Sequence, residues 1–155
     1  MPRSTTLLPL LPLLAPLLLR PARALDNGLS LSPAMGWNSW LAFGCNGDNM
    51  TGSITASIIT QTADALVSTG LKDRGYEFLN LDDCWLTKDR DANGDLQVDK
   101  RAFPDGLEPV IKHVHARGLK FGLYLSCGNN TCQGRAGSWG HEEQDARFLA
   151  KLEVD

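Results

Sequence analysis

Residues 76–83 read Tyr-Glu-Phe-Leu-Asn-Leu-Asp-Asp, a short aromatic and aliphatic run that closes on two adjacent carboxylates. Such a run is typical of a β-strand, and the two aspartates mark its carboxyl end. On both sides of it the chain alternates between strand-like and helix-like segments. We predict strands over 34–37, 76–81 and 119–125, and helices over 54–67, 107–117 and 142–152. This alternating order predicts an α/β fold with a parallel sheet covered by helices.

The first predicted helix carries the clearest boundary signals. Ile54, Ile58 and Leu66 recur at helical spacing, which places apolar side chains on one face. Ser53 stands where an N-cap is expected, and Gly70 follows the predicted end, where glycine is favoured. These signals predict a helix that packs one face against the sheet.

Polar and aromatic side chains follow each predicted strand. They are Trp37 and Trp40 after the first strand, Asp82, Asp83 and Trp85 after the second, and Tyr124 and Ser126 at the third. Chemistry in parallel α/β folds collects at the carboxyl ends of the strands. Carboxylates can accept hydrogen bonds from sugar hydroxyls while aromatic rings stack on sugar C–H faces, so the set suits a carbohydrate. Tryptophan in a loop is more often a packing residue, and paired aspartates often only begin a turn, so residue types alone leave both interpretations open.

Nucleotide binding has little support in this sequence. No predicted strand is followed by a G-x-G-x-x-G motif or by a Walker-type lysine loop. Phosphate-binding α/β folds depend on such glycine-rich turns, because backbone N–H groups must approach the phosphates closely. We therefore expect no nucleotide cofactor.

The first 24 residues have the layout of a secretory signal peptide. Arg3 supplies positive charge, residues 7–19 carry no charge, and Ala22 and Ala24 occupy the two positions that a signal peptidase reads. A membrane anchor is less well supported, because a spanning helix needs about 20 apolar residues. This run has 13 residues and contains three prolines. We predict cleavage after Ala24 and entry into the secretory pathway.

Charge and cysteine content narrow the range of partners. Without the leader, 12 basic residues face 18 acidic ones, a net charge of −6. Such a chain lacks the electrostatic footprint for nucleic acid or an anionic membrane, so we expect neither partner. Four cysteines in a secreted chain favour disulfides. Their positions, 45, 84, 127 and 132, do not form paired zinc knuckles, and we predict no structural metal.

Residues 89–95, Asp-Arg-Asp-Ala-Asn-Gly-Asp, match the first half of an EF-hand calcium loop. The twelfth position of that loop is Lys100, where a bidentate glutamate is required. The Asn-Gly pair at 93–94 is also a strong hairpin signal by itself. We therefore favour a turn over a calcium site.

Two tripeptides, Asn49-Met50-Thr51 and Asn129-Asn130-Thr131, are N-glycosylation sequons. In a secreted protein such sequons lie on the surface and can carry an N-linked glycan. We predict Asn49 and Asn129 as glycosylation sites.

Longer motifs carry a specific resemblance. The motifs are residues 25–29 with 33–40 (Pro-Ala-Met-Gly-Trp-Asn-Ser-Trp), 75–78 with 81–85 (Leu-Asp-Asp-Cys-Trp), 103–107 and 118–124. In their order and spacing they resemble glycoside hydrolase family 27. This family comprises the α-galactosidases and α-N-acetylgalactosaminidases. The resemblance implies a (β/α)₈ barrel followed by a C-terminal β-domain, to which this chain contributes about the first three βα units. It also implies retaining hydrolysis of terminal non-reducing α-D-galactosides, without a cofactor.

The resemblance further implies individual roles. The positions that match the family's substrate-binding residues are Trp40, Asp82, Asp83, Tyr124 and Cys132, and Cys45 and Cys84 match a family disulfide. Neighbouring side chains in a strand point to opposite faces, so Asp82 and Asp83 can reach one sugar only if the strand ends there. Cys127 has no counterpart in the family pattern.

The family's catalytic pair does not map onto this chain. A retaining glycosidase needs a nucleophile and an acid/base about 5–5.5 Å apart. Residues 153–155 match the segment that precedes the family's nucleophile, so we expect both carboxylates beyond Asp155. A complete (β/α)₈ barrel takes about 250 residues. We therefore expect residues 25–155 to be an incomplete N-terminal part of the catalytic domain, inactive alone and with the outer edge of its third strand unpaired.

A second function from another class stays open at this point: a non-catalytic or vestigial galactose-binding secreted protein. Sequence beyond Asp155 separates the two, because a Lys-Tyr-Asp or Lys-Phe-Asp motif favours the enzyme and a stop codon favours the alternative. Galactose and N-acetylgalactosamine both fit the motifs. The sequence is also compatible with an extracellular, a lysosomal or a vacuolar location. The complete protein could form a homodimer.

Overall fold

Three short strands lie side by side at the centre of the fold. They are β1 (Gly36–Asn38), β2 (Phe78–Leu81) and β3 (Lys120–Leu123), and they pair in parallel in that order. Phe78 lies opposite both Gly36 and Lys120, and Leu81 lies opposite Leu123. Because all three strands run the same way with little stagger, their carboxyl ends meet at one edge of the sheet.

The computed structural model describes residues 28, 31–45 and 54–155, and the sheet and helices belong to a unit spanning residues 32–155. The helices are α1 (Trp40–Phe43), α2 (Ala56–Ser68), α3 (Glu108–Ala116) and α4 (Glu142–Leu152), with a 3₁₀ turn at Lys72–Arg74. The predicted alternation of strands and helices is confirmed. The short α1 was not predicted, since four residues carry no helical periodicity.

The start of α2 differs from the sequence prediction. Thr55 has extended backbone angles, and its side-chain oxygen accepts a hydrogen bond from the Ile58 N–H at 3.3 Å. Thr55 is therefore the N-cap, and the prediction of Ser53 was wrong by two residues. At the other end the helix stops at Ser68, and Gly70 adopts a positive φ of 75° just beyond it.

Buried apolar side chains from strands and helices form one core beneath the sheet. In β2 the alternation is clear, because Leu79 and Leu81 are fully buried while Phe78 and Asn80 are half-buried. Helices α2 and α3 pack against each other, and α3 also packs against β3. The rest of the core includes Ile59, Ile111, Val114, Phe103 and Phe121.

Two tryptophans make packing contacts: Trp85, which follows β2, and Trp37, which lies within β1 and is half-buried. Trp85 is fully buried, stacks on Phe148 of α4 with ring centroids 6.2 Å apart, and donates its indole N–H to the Tyr124 carbonyl at 2.8 Å. Trp37 makes an edge-on contact with Phe43 at 6.0 Å. The packing interpretation is therefore correct for this pair.

The outer edge of β3 is paired at one point, where we had expected it to be open. The Asp155 N–H donates to the Phe121 carbonyl at 3.1 Å, and the Asp155 carboxylate accepts from the Phe121 N–H at 2.8 Å. A side chain thus completes a backbone pair, which sequence pattern alone does not indicate.

The segment that resembles half a calcium loop is a hairpin turn. Leu86 and Val98 form an antiparallel bridge, and Gly94 has a positive φ of 83°. One Asp91 carboxylate oxygen accepts hydrogen bonds from the N–H groups of Asn93 and Asp95 at 2.8 and 2.9 Å. The predicted turn is confirmed. Within residues 28, 31–45 and 54–155, no group of three or more acidic, histidine or cysteine side chains is arranged around a metal position.

In the same described part of the chain, no helix combines the length and apolar character that a membrane crossing requires.

Candidate functional site

A cavity of about 210 Å³ opens at the carboxyl edge of the sheet. Five side chains line it: Trp40, Asp82, Asp83, Tyr124 and Cys132. These are the five positions that the sequence singled out, and they come from the ends of all three strands and from the loop after β3. The structure therefore brings together residues that lie up to 92 positions apart in the chain.

Asp82 is the first residue after β2, and donors from β1 and from its own turn fix its carboxylate. One oxygen accepts from the Asn38 side-chain amide and the other from the Asp83 N–H, both at 2.8 Å. The Asp82 N–H in turn donates to the Ser39 hydroxyl at 2.9 Å. Asn38 also accepts from the Trp40 N–H at 2.8 Å, so one amide side chain positions both Asp82 and Trp40.

Asp83 is buried, with only 2% of its surface exposed. One carboxylate oxygen accepts from the Cys84 N–H at 2.7 Å and from the Thr131 hydroxyl at 3.0 Å. The other accepts from the Gln133 N–H at 3.0 Å. An ionised carboxylate offers about four acceptor positions, so roughly one is left for a ligand. Asp83 thus anchors the loop that carries Cys132 and still faces the cavity.

The two adjacent aspartates differ in burial and in hydrogen bonding, which the sequence did not indicate. Asp82 is half-buried and its carboxylate accepts two hydrogen bonds, whereas Asp83 is buried and its carboxylate accepts three. The strand ends at Leu81, as the shared-site prediction required, and both carboxylates line the cavity. Sequence reasoning missed Thr131 and Gln133, which hold Asp83 from about 50 residues away. Thr131 had been noted only as the third residue of a sequon.

Tyr124 and Cys132 line the same cavity and contact each other. The Tyr124 hydroxyl donates to the Cys132 sulfur at 3.6 Å, and the Tyr124 N–H donates to the Leu81 carbonyl at 2.9 Å. The hydrogen bond to Cys132, together with partial burial, raises the pKa of the Tyr124 hydroxyl above its usual range. This hydroxyl is therefore protonated at neutral pH and can donate or accept a hydrogen bond.

A disulfide joins Cys45 to Cys84, with the two Cα atoms 5.8 Å apart. The predicted pairing is confirmed. Cys84 directly follows Asp83, and Cys45 follows the short helix that presents Trp40. Cys84 also has a positive φ of 74°, which a non-glycine residue adopts only when its surroundings impose it. The disulfide thus braces the turn that holds the aspartate pair, while Cys127 and Cys132 are free and exposed.

Comparison with known proteins identifies the family. A sequence model described as alpha galactosidase A matches residues 32–155. The chain belongs to the α-galactosidase A family. It is 47% identical over 131 residues to the α-galactosidase of Cyamopsis tetragonoloba, covering 84% of this chain and 30% of that protein.

Solved α-galactosidases share the fold. The Mortierella vinacea α-galactosidase I superimposes with a TM-score of 0.76 at 40% identity, covering 84% of this chain and 31% of that one. A Saccharomyces cerevisiae α-galactosidase, solved with raffinose, gives a TM-score of 0.74 at 43% identity, covering 83% and 27%. The predicted resemblance to glycoside hydrolase family 27 and the barrel-type βα fold are confirmed. This α-galactosidase-family chain spans about 30% of the length of the curated relatives it matches.

The remaining predicted positions divide between described and undescribed residues. Asn129 is exposed on the loop after β3. Asn49 and the predicted leader, residues 1–24, lie outside the described residues. Their roles stay predictions.

Proposed function

We propose that the complete protein hydrolyses terminal non-reducing α-D-galactosides with retention of configuration, and that the five-residue cavity binds the terminal galactose. The main support is the convergence of two carboxylates, a tryptophan and a tyrosine from three strand ends on one small cavity. The yeast relative solved with raffinose supports an α-galactoside as the substrate.

The cavity supplies complementary groups for a sugar. Asp82 and the remaining acceptor position of Asp83 would take hydrogen bonds from ring hydroxyls, and charged acceptors make the stronger hydrogen bonds. Trp40, which is 36% exposed, offers a ring face to the C–H groups of galactose. The Tyr124 hydroxyl can serve either as donor or as acceptor.

We assign neither catalytic carboxylate to a described residue. A nucleophile must reach the anomeric carbon freely, whereas Asp83 is buried under three hydrogen bonds and Asp82 accepts two. Both aspartates come from one turn, so they do not flank a glycosidic bond from two sides as a retaining pair does. Their assignment is to substrate binding.

The setting of the protein is part of the proposal. A signal peptide at residues 1–24 would direct the chain to the secretory pathway and be cleaved after Ala24. The Cys45–Cys84 disulfide is consistent with an oxidising compartment. N-terminal sequencing of secreted material that began at Met1 would contradict this.

In the complete protein, Asp82→Asn should lower kcat/KM for an aryl α-D-galactoside about ten- to a hundredfold. A hydrogen bond from a sugar hydroxyl to a charged group contributes about 1.5–3 kcal/mol, which converts to that range of rates. The measurement is steady-state hydrolysis of p-nitrophenyl α-D-galactoside. The matched control is Asp73→Asn, an exposed aspartate at the opposite end of β2, which should leave the kinetics unchanged.

Two results would go against the proposal. If Asp82→Asn behaves like Asp73→Asn, the aspartate pair is only a turn and the non-catalytic alternative gains support. If the 155-residue chain alone hydrolyses the substrate, and Asp82→Asn or Asp83→Asn abolishes that turnover, then this pair supplies the catalytic carboxylates.

A further inference from the structure

A second polar cavity of about 300 Å³ lies between the hairpin and the loop after β3. Its walls come from residues 88–90 of the hairpin and from residues 129–141 of the loop, including Asn129, Trp139 and His141. It shares no lining residue with the cavity assigned to galactose. It therefore needs its own explanation.

Trp139 is the unusual member of this cavity. Its side chain is 69% exposed, whereas Trp85 is fully buried and Trp40 is 36% exposed. An exposed indole beside polar groups is a poor packing arrangement for the chain itself. It is a suitable platform for a sugar ring, whose C–H face is apolar and whose hydroxyls need polar partners.

The backbone holds Asn129 and Trp139 beside each other. The Gly137 N–H donates to the Asn129 carbonyl at 2.9 Å, and the Trp139 N–H donates to the Gly128 carbonyl at 3.2 Å. The Arg90 guanidinium also donates to the Gly137 carbonyl at 2.8 Å, which ties this part of the loop to the hairpin. Because these bonds fix both strands of the loop, the two side chains are pre-positioned on one cavity.

The two asparagines of the sequon behave differently. The Asn130 amide donates to the Arg135 carbonyl at 3.2 Å, which ties it to the loop. The Asn129 side chain is exposed and makes no hydrogen bond to the part of the chain that the structure describes. The Thr131 hydroxyl is buried on Asp83 in the folded chain, so attachment of a glycan to this sequon would have to precede folding. The acceptor amide then points to solvent in the folded chain, where an attached sugar can be accommodated.

We propose that this cavity binds the first N-acetylglucosamine of an N-linked glycan on Asn129, with the sugar stacked on the Trp139 indole. Lys88, Asp89 and His141 would face its hydroxyl and acetamido groups. The glycan would cover an otherwise exposed aromatic ring and join the loop after β3 to the hairpin. This assignment does not depend on the proposed hydrolase activity.

The test expresses the full 155-residue sequence in a glycosylating host and compares glycoforms of the chain that is secreted. An endoglycosidase that leaves one N-acetylglucosamine gives the first form. A peptide N-glycosidase acting on the folded protein gives the second form, in which hydrolysis of the side-chain amide leaves aspartate at position 129. Hydroxyl-radical footprinting with mass spectrometry then measures oxidation of each tryptophan. Stacking covers one of the two ring faces, so Trp139 should oxidise about twofold more slowly in the form that keeps one sugar.

The chain contains its own controls. Trp40 should oxidise equally in both forms, and the fully buried Trp85 should stay protected in both if the fold is intact. An Asn129→Asp variant from the same host has the same side chain as the enzymatically deglycosylated form and should match it. The proposal is overturned if the Asn129 peptide carries no glycan, or if Trp139 oxidises at the same rate with and without the first sugar.

Discussion

Replacing Asp145 with asparagine should lower the free energy of unfolding by about 3–5 kcal/mol, because it leaves a buried guanidinium without its anionic partner. Asp145 lies on α4 and is 97% buried at its side chain, and the Arg90 side chain is 88% buried. Both carboxylate oxygens accept from Arg90 nitrogens at 2.7 Å, a bidentate arrangement. Such charge-assisted pairs combine strong hydrogen bonds with fixed geometry.

The effect should be large because Arg90 connects three parts of the fold. Besides Asp145, its guanidinium donates to the Gly94 carbonyl at 2.9 Å and to the Gly137 carbonyl at 2.8 Å. It thereby joins the hairpin and the loop after β3 to α4. An Arg90→Met/Asp145→Leu double variant should lose less stability than Asp145→Asn, since it removes both charges rather than stranding one.

The loss should also depend on pH. Burial works to raise the pKa of Asp145, but the hydrogen bonds and charge of Arg90 outweigh it and hold the pKa below its ordinary value. A depressed carboxyl pKa stabilises the fold above the unfolded-state value of about 3.9 and loses that contribution as pH falls through the folded-state value. The advantage of the wild type over Asp145→Asn should therefore shrink as the pH falls from about 5 toward about 2.

Urea unfolding followed by tryptophan fluorescence measures this difference. The matched control is Glu143→Gln, which removes an exposed helix pair with Arg147 at 3.2 Å. Exposed pairs of this kind contribute about 0.3–0.5 kcal/mol. An Asp145→Asn loss no larger than that of Glu143→Gln would show that the buried pair does not hold the fold.

Sequence pattern predicted the elements whose signals are local. Helix α4 was predicted with its observed bounds, and the strand that closes on Asp82 was placed correctly to within two residues. The family motifs then identified the five residues that the structure gathers around one cavity. Periodicity and motif spacing suffice for such features because they depend on residues close in sequence.

The long-range interactions that hold the site and the fold were not predictable in the same way. Thr131 holds Asp83 across 48 residues, and Arg90 holds Asp145 across 55. Nothing near these residues in the sequence indicates their distant partners. Arg90 is explained by its position in a turn, and Thr131 by its position in a sequon. Only the packed fold shows that the partners are buried and therefore need each other.

The second large effect concerns the disulfide. A Cys45→Ser/Cys84→Ser variant should lose about 4 kcal/mol of stability, because the bond closes a long loop and restricts the unfolded chain. The separation between the two cysteines is 39 residues. In small secreted domains, removal of a native disulfide commonly costs enough stability to impair folding near body temperature.

Loss of the disulfide should also weaken the candidate site. Cys84 donates its N–H to Asp83 at 2.7 Å and holds a positive φ of 74° in the turn after β2. Without the bond to Cys45, this turn and the segment that carries Trp40 lose their covalent link. On the proposed function, we therefore expect the variant of the complete protein to show weaker galactose affinity in titrations under conditions where it is still folded.

Cys127→Ser is the matched control, since this exposed free thiol should contribute less than about 0.5 kcal/mol. Adding a reductant should destabilise the wild type and Cys127→Ser by the same amount that the double substitution removes. The stability of the double variant should not change when the reductant is added. This equivalence matters because it separates the bond from the side chains that form it. If non-reducing peptide mapping instead joined Cys45 to Cys127 or Cys132, the pairing and the alignment of the motif that contains Asp82 and Asp83 would both be wrong.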